Sequence, residues 1–319
     1  MHKILVTGGN GFIGYNLINF LSKKKKYIIS TSLYRNRDRN KILKKKIKIH
    51  KFDLRNKKNC LKITKNIDTV VMCSANSAGA KVMRNKPMEH FNPNIFMNLN
   101  MLEAAYENKV KKFIFISSNA IYPVTNKAVS ENDVNNSFFE GYYIAAWMKR
   151  ISEIACDIYS LRLNTKMNTI IVRPGNLYGP FDKFHPEKSK VIPSLIRKII
   201  NNNKKLDVWG DGMDLKDFLY IDDFNLAIEK IIIKVKTHEV FNVASGQSVS
   251  IKQIINKILK NLKIKNCKLN FQKDKPSMIP IRRISINKIK KTVKWRPKTN
   301  LEDGLKKTIN WYKANYGKN

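Results

Sequence analysis

Short apolar runs alternate with segments of helical spacing along the first half of the chain. Runs rich in Ile, Val and Phe predict strands at Lys3–Thr7, Tyr27–Ser32, Thr69–Ser74 and Lys112–Ser117, with a further buried strand at Thr169–Arg173. Between them, apolar residues three or four apart predict helices at Phe12–Ser22, Asn94–Asn108 and 142–160. Such alternation buries both faces of a parallel sheet, so the fold class is α/β, a doubly wound parallel sheet of Rossmann type. Beyond Pro174 the pattern loosens into loops rich in Pro, Gly and Asn, with helices near 190–202, 223–235, 250–262 and 301–315. These predict a smaller C-terminal domain. Glu239–Ala244 has the pattern of a strand that returns to the first sheet. The expected division is 1–174, joined by 217–246, against 175–319. The stretch Leu301–Tyr312 carries its apolar residues at helical spacing and is packing rather than chemistry.

The chain has 319 residues, 43% of them hydrophobic, enough for one large core or two joined ones. Its 62 Lys and Arg against 24 Asp and Glu give a net charge of +38. The lysines are spread along the whole chain among Asn and Ile, as in Lys23–Lys26, Lys44–Lys46 and Lys257–Lys265, so they read as a chain-wide bias and not as a nucleic-acid site. Such a field favours anionic ligands such as diphosphates. No apolar run approaches the roughly 18 residues that span a bilayer, and a first strand at Lys3 leaves no room for a signal peptide, so a cytoplasmic protein without membrane association is expected. Cys60, Cys73, Cys156 and Cys267 lie far apart without C-x-x-C spacing, which signals neither a metal site nor a disulfide framework.

The chemistry begins directly after the first strand. Gly8, Gly11 and Gly14, with Asn10, Phe12 and Ile13 among them, open a helix whose apolar face carries Ile13, Leu17, Phe20 and Leu21. Glycines at that spacing allow a tight turn, close approach to a pyrophosphate and close helix-to-strand packing, with the phosphate charge at the helix N-terminus. The first domain therefore reads as dinucleotide-binding. At the end of the second strand, where an acid would accept the ribose hydroxyls of NAD, stand Ser32 and then Arg35 and Arg37. This favours NADP(H), with NAD(H) the alternative, because guanidinium groups grip a 2′-phosphate. Asp53 is placed to accept from the adenine amino group, or is a turn residue.

Phe113–Pro123 ends a strand at its carboxyl edge, where open α/β sheets bind ligands. Within it Ser118 lies 24 residues before Tyr142. Together the glycine motif, Ser118 and Tyr142 resemble the extended short-chain dehydrogenase/reductase family over nearly the full length. The segments Asn176–Arg197, Trp209–Gly212 and Lys216–Asp223 resemble the GDP-L-fucose synthases within it. The resemblance implies that Tyr142 exchanges a proton with the sugar oxygen at C4 and that Ser118 hydrogen-bonds that oxygen. It implies a nucleotide-diphosphate-sugar substrate, a homodimer formed through the helices at 94–108 and 142–160, and an asparagine, Asn94, that supports the active-site backbone or simply caps its helix. Leu54 and Ala75 join the cofactor residues. Asn119, Asn176, Lys190, Val191, Lys198, Trp209, Lys216, Arg282 and Arg283 fall to the substrate. Lys216 stands where the family has arginine.

Several positions depart from the family pattern. In Tyr-x-x-x-Lys the lysine stabilises the phenolate and holds the nicotinamide ribose. Ala146 occupies that position here, and Lys149, seven residues past Tyr142, stands about 10 Å from it along the axis. Without the ammonium the phenol returns toward a pKa of about 10, so severe loss of turnover is expected. Ala146 reads as an introduced lysine-to-alanine change, or as a natural pseudo-enzyme or a different proton relay. Ala120 and Lys190 replace the cysteine and histidine that epimerise C3 and C5, and Asn119 and Ala120 replace the Asp-Glu pair of dehydratases. What remains is redox at C4: reduction of a 4-keto nucleotide sugar, or the transient 4-keto step of a 4-epimerase. A catalytically silent NADP(H)-binding protein is the third possibility.

Overall fold

The computed structural model describes residues 1–34, 47–76, 86–165, 167–187, 189–274 and 279–317. In chain order the first elements are β1 (His2–Thr7), α1 (Phe12–Leu21), β2 (Tyr27–Leu33), β3 (Lys48–Lys51), α2 (Lys57–Thr64), β4 (Thr69–Met72), α3 (Pro87–Glu107) and β5 (Lys112–Ile116). Then come β6 (Ala128–Val129), α4 (Tyr143–Leu161), β7 (Asn168–Pro174), β8 (Asn176–Tyr178), α5 (Val191–Asn201), β9 (Lys205–Trp209), β10 (Leu215–Tyr220) and α6 (Ile221–Lys234). The last are β11 (Glu239–Val243), β12 (Ser248–Ser250), α7 (Ile251–Leu262), β13 (Lys268–Gln272), β14 (Arg283–Ile284), α8 (Asn287–Val293) and α9 (Leu301–Tyr316).

Seven strands form one sheet in the order 3-2-1-4-5-7-11. The pairs from β3 across to β7 are parallel. Helices cover both faces of such a sheet, which is why β4 and β5 are buried at every residue. β11 joins the sheet beside β7, as its apolar pattern predicts.

The chain divides into two units. The first holds residues 1–121, 142–173 and 225–241, and the second 122–141, 174–224 and 242–319. The stretches 122–141, 217–224 and 242–246, which the sequence reading joins to the first domain, lie in the second unit, where β10 pairs with β8 and β12 in a separate three-stranded sheet. Within this unit Asp217 is buried and accepts from the backbone N–H of Ser245 and Gly246 at 2.7 and 2.8 Å. Burial pushes its carboxyl up to about 6.

In the first unit α3 starts at Pro87, a turn and more before the expected Asn94. Asn94 is therefore no cap. Pro93 inside the helix has no N–H to offer the Glu89 carbonyl. The Nδ2 of Asn76, beyond β4, fills that place at 3.1 Å. Asn94 in turn accepts from the Asn76 N–H at 2.8 Å and donates to the Asn76 carbonyl at 3.1 Å. The chain leaving β4 is thus fastened to α3 by side chains.

α4 packs beside α3, with Asn98 Nδ2 donating to Ser152 Oγ at 2.9 Å. The next residue is Glu153, with no exposure to solvent. Its carboxylate accepts from Ser117 Oγ at 2.5 Å, from Arg173 Nε and Nη2 at 3.0 and 2.8 Å, and from Arg150 Nη1 at 3.3 Å. One buried charge so ties α4 to the ends of β5 and β7. Removing one member of a buried pair strands the other charge. Arg173→Met is expected to lower unfolding free energy by about 3 kcal/mol, and Glu153→Leu combined with Arg173→Met to regain part of it. Urea unfolding measures both.

Candidate active site

The turn after β1 is built for close backbone approach. Gly8 has φ +69°, and a Cβ added there would stand 2.9 Å from the Ser74 Cα. At Gly14 an added Cβ would stand 2.4 Å from the Gly8 carbonyl oxygen. Gly11 precedes the first residue of α1, Phe12, in an extended conformation. Ser32, buried at the end of β2, accepts from the Gly8 N–H at 3.3 Å, and its carbonyl accepts from the Gly9 N–H at 3.2 Å. Its hydroxyl braces the turn. This cradle at a helix N-terminus fits a dinucleotide pyrophosphate, held by the N–H groups around Asn10–Ile13. Leu54 is buried and Ala75 exposed. Arg35 and Arg37 lie outside the described residues.

Asp53 follows β3. Its carboxylate takes the Arg55 guanidinium at 3.0 and 2.6 Å and the Arg55 N–H at 3.0 Å, so the group expected at the adenine amino is engaged by a neighbour. These charge-assisted bonds hold its pKa below the usual carboxylate value.

At the end of β5 two adjacent serines divide their tasks. Ser117 is buried on Glu153. Ser118 is half-buried, and its Oγ accepts the Ala120 N–H at 3.1 Å, leaving the hydroxyl proton to be donated elsewhere. Ala120 is buried and carries no exchangeable side-chain proton.

Tyr142 does not belong to α4 but stands at its N-cap, with φ −122° and ψ 8°. Burial raises its pKa, which keeps the phenol protonated. Ala146 is fully buried. Lys149, set aside above as too far along the helix, is where the geometry differs. Its side chain reaches back so that Nζ donates to the Ile116 carbonyl at 2.8 Å, two residues before Ser118, and lies 4.8 Å from the Phe115 ring centroid. Helical side chains lean toward the N-terminus, and the lysine stem covers the distance that axial rise alone would open. Burial pulls its pKa down to about 8, with Cys73 and Glu153 acting in the opposite sense. A signal was present in the sequence: Lys149 stands in 3-4-3 spacing with Ala146, Glu153 and Cys156, the three of which are buried.

Of the substrate residues, all in the second unit but Ser118 and Asn119, Lys216 and Arg282 are brought together. Both are buried, and the Arg282 N–H bonds the Leu215 carbonyl at 2.9 Å. Lys216 Nζ bonds the Ile279 carbonyl and, at 3.3 Å, Asp214. Arg282 donates only to the Pro123 and Tyr122 carbonyls, at 2.9 and 3.0 Å, and its Nε is buried without a partner. Burial pulls its pKa down to about 10. Arg283 bonds the Asn126 carbonyl at 2.7 Å, Asn176 the Asp217 carbonyl at 3.0 Å and Lys198 the Asp207 carbonyl at 3.1 Å, so three candidates also serve the backbone. Lys190, Val191 and Trp209 are exposed. Among the described residues no helix is long and apolar enough to cross a membrane, and no His, Cys, Asp and Glu are grouped to hold a metal.

The profile of the NAD dependent epimerase/dehydratase family matches residues 4–244. GDP-L-fucose synthase 1 of Arabidopsis thaliana is 31% identical over 254 residues, 77% of each chain. The GDP-L-fucose synthase of Sinorhizobium fredii is 29% identical over 99% of this chain and 97% of its own. Among solved structures, UDP-glucuronic acid 4-epimerase from Bacillus cereus, in complex with UDP-glucuronic acid and NAD, is 26% identical with a TM-score of 0.86, covering 98% of this chain and 100% of that one.

The lowered Lys149 pKa has a measurable consequence. The unfolded chain keeps that proton up to the ordinary value of 10.5, so this group makes stability rise with pH between about 8 and 10.5. Competitive acylation followed by mass spectrometry is expected to titrate Lys149 near pH 8, and Glu153→Gln to shift it lower still.

Proposed function

Because the chain belongs to the NAD dependent epimerase/dehydratase family, we propose that it is an NADP(H)-dependent nucleotide-diphosphate-sugar oxidoreductase. It acts at C4 of a 4-keto sugar, in the manner of a GDP-L-fucose synthase without 3,5-epimerisation. The observation that carries the reading is that the Lys149 ammonium bonds the Ile116 carbonyl at the end of β5, two residues before Ser118, whose Oγ keeps its proton for a ligand. Ser118 donates to the C4 oxygen. Lys149 supplies the positive charge that the sequence lacks at Ala146. Tyr142, kept protonated, delivers the proton that reduction requires. The nicotinamide, when bound, supplies the hydride. Ala120 offers no group to move protons at C3 or C5. Arg282, a buried charge with no carboxylate partner among the described residues, and Lys216 beside it suit the diphosphate.

One observation favours a second assignment of the phenol. Ala145 lies four residues before Lys149, hence on the same face of α4, so the missing side chain in this register is a tyrosine at 145 and not a lysine at 146. NADPH oxidation with a panel of GDP- and UDP-linked 4-keto sugars decides between them. Lys149→Met is expected to cost at least about tenfold in turnover in either register. If Tyr142 is the donor, Tyr142→Phe abolishes the remaining rate. If position 145 is vacant, Ala145→Tyr raises the rate by about tenfold or more and Tyr142→Phe changes little. Rescue by Ala146→Lys alone would return the ammonium to 146. Absence of turnover in every variant, with cofactor still bound, would leave a silent binder; UDP-hexose epimerisation with retained NAD would make it a 4-epimerase.

We further propose a homodimer formed through α3 and α4. Phe96 on α3 is exposed, and so are Ile154, Ile158 and Leu161, spaced four and three apart on one face of α4. Ile158→Asp is expected to convert the dimer to monomers in sedimentation equilibrium.

A further inference from the structure

Resting on the dinucleotide reading above, the geometry points to Arg55, beyond β3, as the residue that grips the adenosine 2′-phosphate and sets the preference for NADP(H), with Asp53 as its brace. Among the described residues the end of β2, where discrimination between the two dinucleotides is ordinarily made, carries no acid. Ser32 there is 2% exposed, and its hydroxyl is turned to the Gly8 N–H. The next strand supplies the charge. β3 runs parallel to β2 with Leu33 opposite Lys51, and the Phe52 N–H bonds the Leu33 carbonyl at 3.0 Å, so the chain leaving β3 emerges beside the end of β2. Arg55 is four residues past β3.

The guanidinium is fixed from two sides. Asp53 takes Nε and Nη2 at 3.0 and 2.6 Å, while Nη2 also donates to the Tyr34 hydroxyl at 3.0 Å, just past β2. Its carbon lies 5.3 Å from the Tyr34 ring centroid. Among the described residues Nη1 has no hydrogen-bond partner. Two donors of a pre-oriented planar fork are therefore free on an exposed side chain, the geometry that a phosphate accepts.

An ion pair this exposed contributes little to stability, so folding does not explain its chelated form. The pairing also quenches the carboxylate of Asp53, which would otherwise repel a phosphate. Asp53 would favour a bare ribose if it were free; engaged by Arg55 it no longer does. Tyr34, itself 59% exposed, offers a ring face next to the fork on which an adenine can lie.

The test uses the full chain and two nucleotide fragments that differ by the group in question. 2′,5′-ADP carries the 2′-phosphate and 5′-AMP lacks it, and calorimetric titration gives an affinity for each without any turnover. The parent protein is expected to bind 2′,5′-ADP about tenfold or more tightly than 5′-AMP, the worth of one charge-assisted hydrogen bond. Arg55→Gln is expected to bring the ratio to within about twofold of unity while leaving 5′-AMP affinity within about threefold. Arg55→Lys should keep part of the ratio and lose it faster with salt, since a point charge replaces the fork. A ratio that survives Arg55→Gln overturns the assignment, and so does a variant that weakens both fragments equally, which would make Arg55 a stacking residue only. A parent protein that binds 2′,5′-ADP no better than 5′-AMP overturns it as well, while binding of NAD and NADP with equal affinity would leave the dinucleotide reading intact. Failure to bind either dinucleotide would instead sink that underlying reading.

Discussion

The Glu153 carboxylate, closed off from water in the middle of α4, is the constraint on which the reaction edge depends. It takes two bonds from Arg173 on β7 and one from Ser117 after β5, so it fixes the height of α4 against two adjacent strands. A buried charge left unpaired is costly, and this arrangement tolerates little sliding. The residue after Ser117 is Ser118, and one helical turn before Glu153 is Lys149. Both Ser118 and Lys149 therefore stand next to segments that Glu153 holds. Lys149 in turn sits at reduced pKa because burial removes more than the neighbouring Glu153 returns. A cation near its titration point moves between charged and neutral forms at small cost.

Much of this was legible along the chain. Six of the seven strands of the large sheet come within about two residues of the apolar runs, because buried parallel strands leave an uninterrupted apolar signature, whereas the half-exposed edge strand β3 leaves none. The glycine turn was legible because its demands are local: a left-handed φ at Gly8 and no room for a Cβ at Gly14. The start of α3 was not. Pro93 reads as a helix boundary in sequence, and the group that satisfies the carbonyl it frees comes from Asn76, on a different segment. The placement of the ammonium was obscured in a similar way. Helical spacing from Tyr142 assumes that Tyr142 is helical, whereas it stands at the N-cap, and the reach of a lysine stem does not appear in a count of positions. Long-range partners decided the remainder: what occupies the Asp53 carboxylate, and which carbonyls hold Arg282.

The +38 charge has a counterpart in how the few acids are used. With 24 carboxylates against 62 cations, nearly any acid could find a surface lysine. Several are instead spent on backbone or on single basic groups at defined places. Asp217 holds the turn at Ser245 and Gly246, Asp223 accepts from the Lys298 and Thr299 N–H groups at 3.0 and 2.9 Å, and Glu131 accepts the Asn242 N–H at 2.8 Å. Glu153 and Asp53 each orient an arginine. Surface ion pairs add little, so a chain can accumulate lysine where water screens it while keeping acids where geometry requires them. Where an acid is withheld from a buried cation, the imbalance is informative. Among the described residues the hydrogen-bond acceptors of Arg282 are carbonyls and its Nε is orphaned, and a guanidinium kept in that state is stabilised when an anion arrives. The local charge deficit, unlike the global excess, therefore carries information about the ligand.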